Sequence, residues 1–133
     1  MKVSKIFTCL FVISLFVACD NEEKQPTLID GTYEGVFGRS SPGAKYASSQ
    51  VTLTFANGEF NGDSEIEKYP AICNGTYNIE GNSVEFSNFC IWTAEFDWSY
   101  ILAGEFEIKV ASNVIELIQT NGGTTDRYQL KRK

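Results

Sequence analysis

The chain has 133 residues, with 11 Lys and Arg against 17 Asp and Glu and no histidine. A net negative field repels nucleic acid phosphates, so nucleic acid is excluded as a partner. Without histidine there is no Ser-His-Asp or Cys-His arrangement, no usual general base and no imidazole for a metal, so no enzyme, metal or cofactor is expected.

From the N-terminus, Lys2 and Lys5 precede an apolar run of 13 residues, Ile6 to Ala18. The order is that of a secretory signal, and the run falls short of the ~20 residues a membrane span needs. Leu15-Phe16-Val17-Ala18-Cys19 resembles a bacterial lipobox, with Phe16 where Leu is usual. The resemblance implies cleavage before Cys19, acylation of its thiol and membrane attachment through the lipid. Asp20, Glu22 and Glu23 resemble the acidic export tag of lipoproteins that Gram-negative gut anaerobes carry on the outer face of the outer membrane. A plain acidic tether, with the protein on the periplasmic face, is the alternative. The expected organisation is a signal peptide over residues 1–18, an acidic tether over 19–27 and one domain over 28–133. Loss of Lys2 and Lys5 leaves nine basic residues against 17 acidic, a net charge of −8.

The domain reads as strands throughout, over residues 31–38, 50–56, 59–68, 73–80, 83–91, 100–111, 114–121 and 124–131. Asn57-Gly58 is the strongest hairpin signal, because both central residues of a type I′ turn need positive φ. Gly81-Asn82, Ser112-Asn113 and Gly122-Gly123 are the other two-residue turns. Each turn fixes a register. Around Gly81-Asn82, Ile79 faces Val84, Tyr77 faces Phe86 and Cys73 faces Cys90. Around Ser112-Asn113, Val110 faces Ile115 and Ile108 faces Leu117, while Lys109 meets Glu116 on the other face. Leu117 faces Tyr128, Ile115 faces Leu130 and Phe55 faces Phe60. A slip of one residue reverses every face, so the agreement supports the register. Cys9 leaves with the signal, and Cys73 and Cys90, in an oxidising compartment, are expected to form a disulfide.

Eight antiparallel strands with one apolar face and local connections predict an all-β, closed up-and-down barrel, with a β-sandwich as the alternative. The layout resembles the lipocalin-like (calycin) barrel. Gly31-Thr32-Tyr33 stands where lipocalins have Gly-x-Trp, and Arg127 or Arg132 is placed to close over it from the last strand. The segments Tyr69–Tyr77 and Trp92–Trp98 also resemble uncharacterised lipoproteins of gut bacteria, without an activity attached.

An eight-stranded barrel is filled by side chains or holds one small ligand. The first expectation is a non-enzymatic binding module for a small, largely apolar ligand, with Trp92, Phe96, Trp98, Tyr33 and Tyr77 as its contacts. Trp92, Phe96, Trp98, Tyr100 and Leu102 carry on the inward parity of Phe106 and Ile108. A strand over 92–110 would be about 60 Å long, so it must break, near Asp97–Ser99, into an aromatic connector across one barrel end. That connector is a ligand wall or a hydrophobic plug. The second expectation is a protein-interaction module with a filled barrel, an accessory subunit of a surface complex or an enzyme inhibitor. Its contact loop would be residues 39–49, with Arg39, Lys45 and Tyr46. Ser41-Pro42-Gly43-Ala44-Lys45-Tyr46 resembles the inhibitory loop of barrel-shaped bacterial lysozyme inhibitors, although there the loop comes late in the chain. Glu95 and Asp97 have the spacing of a two-carboxylate hydrolase pair, but acidic residues on the solvent side of a strand are the ordinary reading. Asn57, Glu59, Asn61, Asp63, Glu65 and Glu67 gather oxygens without the spacing of a calcium loop.

Overall fold

The structure, a computed structural model, describes residues 27–133; Cys19, the signal segment and all of the tether but Thr27 lie outside the described residues. Eight strands follow one another: β1 (Gly31–Ser40), β2 (Ser49–Ala56), β3 (Glu59–Ser64), β4 (Cys73–Glu80), β5 (Ser83–Asn88), β6 (Gly104–Ala111), β7 (Val114–Asn121) and β8 (Thr124–Arg132). Each pairs antiparallel with the next, and β1 pairs with β8, so the sheet is a closed up-and-down barrel. No edge is left to aggregate.

The hairpin registers are those the turns dictate. Ile79 pairs with Val84 and Tyr77 with Phe86; Val110 pairs with Ile115, Leu117 with Tyr128 and Phe55 with Phe60. Asn57 and Gly58 take φ of 52° and 78°, the left-handed values a type I′ turn requires. Alternation then sends every second residue inward. Tyr33, Phe37, Leu53, Phe55, Phe60, Val84, Phe86, Phe106, Ile108, Leu117, Tyr128 and Leu130 form the core. Phe86 lies at its centre, with ring centroids 5.4 Å from Phe60 and 5.6 Å from Phe106, both edge-to-face. The interior is filled by side chains.

At Gly35, on the inward parity of β1, a Cβ would run into the carbonyl oxygen of Gln129 on β8, so the barrel closes by direct backbone approach. Of the two arginines expected over the first strand, Arg132 is the one that arrives. Its guanidinium lies against Gly31 and Nη2 donates to the carbonyl of Asp30 at 2.9 Å. Arg127 instead pairs with Glu116 near the other end.

The two ends differ. At one, the turns at 57–58, 81–82 and 112–113 lie beside the chain entry: Asp30 accepts from the Asn57 backbone N–H at 3.1 Å. At the other lie the long connections 41–48, 65–72 and 89–103, with the short β7–β8 turn. We call these the turn end and the loop end. A ten-residue strand tilted as in such barrels separates them by roughly 25 Å.

Three strand bounds depart from the sequence expectation by three residues or more, all at the loop end. β3 stops at Ser64 rather than Lys68, and 65–72 folds over the barrel with a cis Tyr69-Pro70 peptide and φ of 58° at Lys68. The Ser64 hydroxyl holds that turn by donating to the carbonyls of Ile66 and Pro70 at 2.9 and 2.7 Å. β5 stops at Asn88 rather than residue 91, and β6 starts at Gly104 rather than 100. Between them the break falls where strand length requires it, as a 3-10 turn over Trp98–Tyr100 capped by Asp97.

Candidate functional site

The loop end is built on two polar junctions. The first joins β1, β8 and the connector. Arg39 shares the inward parity of Tyr33 and Phe37, and Asp126 that of Tyr128, so the two face each other in the closing ladder. Arg39 Nε donates to Asp126 Oδ1 at 2.6 Å and Nη2 to Oδ2 at 2.8 Å, a bidentate pair whose side chains are 7 % and 9 % exposed. Nη1 and Nη2 also donate to the hydroxyl and carbonyl oxygens of Ser99 at 2.9 and 3.1 Å. The guanidinium carbon stands 3.8 Å from the centre of the Tyr100 ring. The Asp126 carboxylate holds Arg39 above the usual arginine range against the opposing effect of burial.

The second junction is Asn88. Its amide nitrogen donates to the carbonyls of Ile72 and Leu102, and its oxygen accepts from the Cys90 backbone N–H and from Trp92 Nε1, both at 3.2 Å. One side chain thus uses four hydrogen bonds to join the end of β5, both loops and Trp92. Beside it, Cys73 and Cys90 form the expected disulfide, with Cα atoms 6.3 Å apart. The expected ladder geometry is corrected in one respect. β4 and β5 pair only as far as Gly75 with Asn88, and Cys90 lies two residues beyond the last pair, with its N–H donating to the Asn88 side chain.

The end is closed by Tyr69 and Tyr100, whose centroids are 4.8 Å apart and which pack edge-to-face on Phe37, with Leu102 fully buried beneath. Of the two expectations for the connector, a ligand wall or a plug, Tyr100 and Leu102 meet the second. Trp92, Phe96 and Trp98 do not. Trp92 and Phe96 are half-buried outside the barrel with centroids 5.6 Å apart, and Trp98 is 56 % exposed, its Nε1 donating to the Thr93 carbonyl at 2.8 Å. Parity carried no information there because the chain is no longer a strand.

The other expected ligand contacts lie elsewhere. Tyr33 is buried in the core near the turn end, its hydroxyl donating to the Ile29 carbonyl at 2.7 Å, and burial raises its pKa. Tyr77 is half-buried 5.2 Å from Phe55, also with its pKa raised by burial. The five expected residues therefore form no common site. In the loop expected to make contacts, Lys45 is exposed, Tyr46 is 39 % exposed with its hydroxyl 3.1 Å from Ser41 Oγ, and Arg39 is withdrawn into the buried pair.

Asp97 accepts from the Ser99 backbone N–H at 2.9 Å, and bonds to Ser99 lower its pKa. A hydrolytic acid needs the opposite shift. Both Glu95 and Asp97 are exposed.

What the loop end displays is apolar. Phe89 is 65 % exposed, Ile91 98 %, Ile66 40 % and Trp98 56 %. Around them stand the carboxylates of Glu65, Glu67, Glu95 and Asp97. Concavities of about 200 to 290 Å³ are present among the described residues, lined by loop residues and by strand residues, Arg39 and Asp126 among them. No family model, curated protein or solved structure matches the chain.

Proposed function

We propose that the protein is a non-enzymatic protein-interaction module, carried on a lipid anchor at Cys19 at the bacterial outer membrane and presenting its loop end outward. One observation carries this reading: the connector holds Phe89, Ile91 and Trp98 in water while a disulfide, an Asp97 cap and the Arg39–Ser99 bonds fix their backbone. Exposed apolar side chains on a fixed backbone have little ordering entropy left to lose on association. Trp is also among the residues that dominate interface energies. The chain enters the barrel at the turn end, opposite the connector, which supports an anchor before Thr27 with the connector facing away from the membrane. A core filled by interlocking aromatics favours surface contact over ligand capture inside the barrel.

A photo-crosslinking residue placed at Ile91 in the native host tests the proposal, with the same residue at Lys109 on the barrel wall as the control. A discrete protein adduct from Ile91 and none from Lys109 is expected. Equal labelling at both positions, or an adduct from Lys109 alone, would overturn it.

A further inference from the structure

Beside the apolar face lies a groove of about 290 Å³ between the end of β3, the 65–72 loop and the connector. Trp92 forms one wall; Asp63, Glu67 and Lys68 bring charge to it, and Pro70, Ala71 and Ile72 lie beneath. Three properties limit what it takes. Its size, at the low end for small-molecule sites, suits a single ring. Its aromatic wall is fixed in advance, since Trp92 is bonded to Asn88, packed on Phe96 and two residues from the disulfide. Its polar groups are of both kinds: two carboxylates that accept and one ammonium that donates.

The carboxylates of Asp63 and Glu67 have no hydrogen-bond or ion-pair partner among the described residues. No group of three or more acidic or cysteine side chains is arranged to hold a metal ion among the described residues. A point cation would find the carboxylates but meet Lys68, whose Nζ stands 5.3 Å from the Phe96 ring. An anion would meet the negative field of the whole domain. Hydroxyl groups donate to carboxylates and accept from ammonium, so a neutral ring with hydroxyls on its edge and C–H bonds on its face satisfies every wall at once. We infer that this groove is a subsite for one hexopyranose unit of a glycan, stacked on Trp92, with Asp63 and Glu67 accepting and Lys68 donating at its rim. It goes beyond the protein-contact proposal and does not depend on it.

The test uses Trp98→Phe, which leaves Trp92 as the single indole of the domain. Emission is titrated with the methyl glycosides of glucose, galactose, mannose and N-acetylglucosamine, and separately with N-acetyl-arginine amide as a cationic probe. A saturable change with at least one glycoside is expected, with affinity about tenfold weaker in Asp63→Asn and Glu67→Gln, as conversion of a charge-assisted hydrogen bond to a neutral one implies. Both substituted side chains are at the surface, so folding is checked by circular dichroism without ambiguity. No saturable change with any glycoside overturns the inference. So does a response to the arginine amide alone, which would make the groove a receptor for a basic side chain.

Discussion

Asp126→Ala should be among the most damaging single changes in the domain. It removes two short hydrogen bonds and leaves the Arg39 guanidinium, 7 % exposed, without its counter-charge. Breaking a buried pair in this way costs about 3–5 kcal/mol. Ser99 and the Tyr100 ring still contact Arg39, and Asp97 lies 3.8 Å from Nη1, so the lower limit of about 3 kcal/mol applies. For a domain of this size that corresponds to a fall in Tm of roughly 12–24 °C. Urea and thermal unfolding followed by circular dichroism measure both. Replacing both partners, Arg39→Met with Asp126→Leu, should recover most of the loss, because two apolar groups need no counter-charge. Hydrogen exchange should also quicken at residues 98–101 in Asp126→Ala, since Arg39 ties Ser99 to the barrel. A loss under about 1 kcal/mol, the value of a solvated surface pair, would refute the burial argument.

Four further outcomes follow from the same geometry. Phe86→Ala, at the core centre, should cost about 3–5 kcal/mol, and Trp92→Ala clearly less, because Trp92 is half-buried outside the barrel; equal losses by urea unfolding would contradict this. Cys73→Ser with Cys90→Ser should lose about 3 kcal/mol, the chain-entropy value for a loop closed over 17 residues, and a non-reduced peptide map should contain the single linked pair. Asn88→Ala should cost about 2–3 kcal/mol and blue- or red-shift the emission of Trp92, whereas an unchanged spectrum would mean that Asn88 does not hold the indole. Because bonds from Ser99 lower the pKa of Asp97 in the folded state, its contribution is present above the unfolded carboxylate range and lost as pH falls through its lowered value. Trp98 emission should therefore stay constant through neutral and mildly acidic pH and change only at the acid end, and a change near neutrality would contradict the cap.

The barrel was legible because two-residue turns fix registers and the alternation of Ile79, Tyr77, Val84 and Phe86 reports which side is buried. That logic fails where a side chain captures the backbone. Asn88 ends β5 by accepting from Cys90, and Ser64 ends β3 by bonding to the carbonyls of 66 and 70; nothing in a period of two announces either. The Arg39–Asp126 junction spans 87 positions, beyond any local pattern. It did leave a signal: each residue is a charge on the inward parity of its strand, and the β1–β8 closure brings the two opposite each other. The connector misled for the converse reason. Trp92, Phe96 and Trp98 keep the spacing of core residues along a segment that is not extended, so the alternation that rightly locates Phe106 and Ile108 in the core points these three inward as well, whereas the structure leaves them outside it.

The central claim is that the barrel is filled and works through its loop end. Titration of the folded domain with a fluorescent fatty-acid probe tests it most directly, with Phe86→Ala, which opens a cavity at the centre, as the permissive control. The account predicts no stoichiometric binding to the wild-type domain, because Phe55, Phe60, Phe86 and Phe106 occupy the space such a probe needs. One-to-one binding by the wild type, displaced by other apolar ligands, would contradict it and return the barrel interior to the role of a ligand carrier.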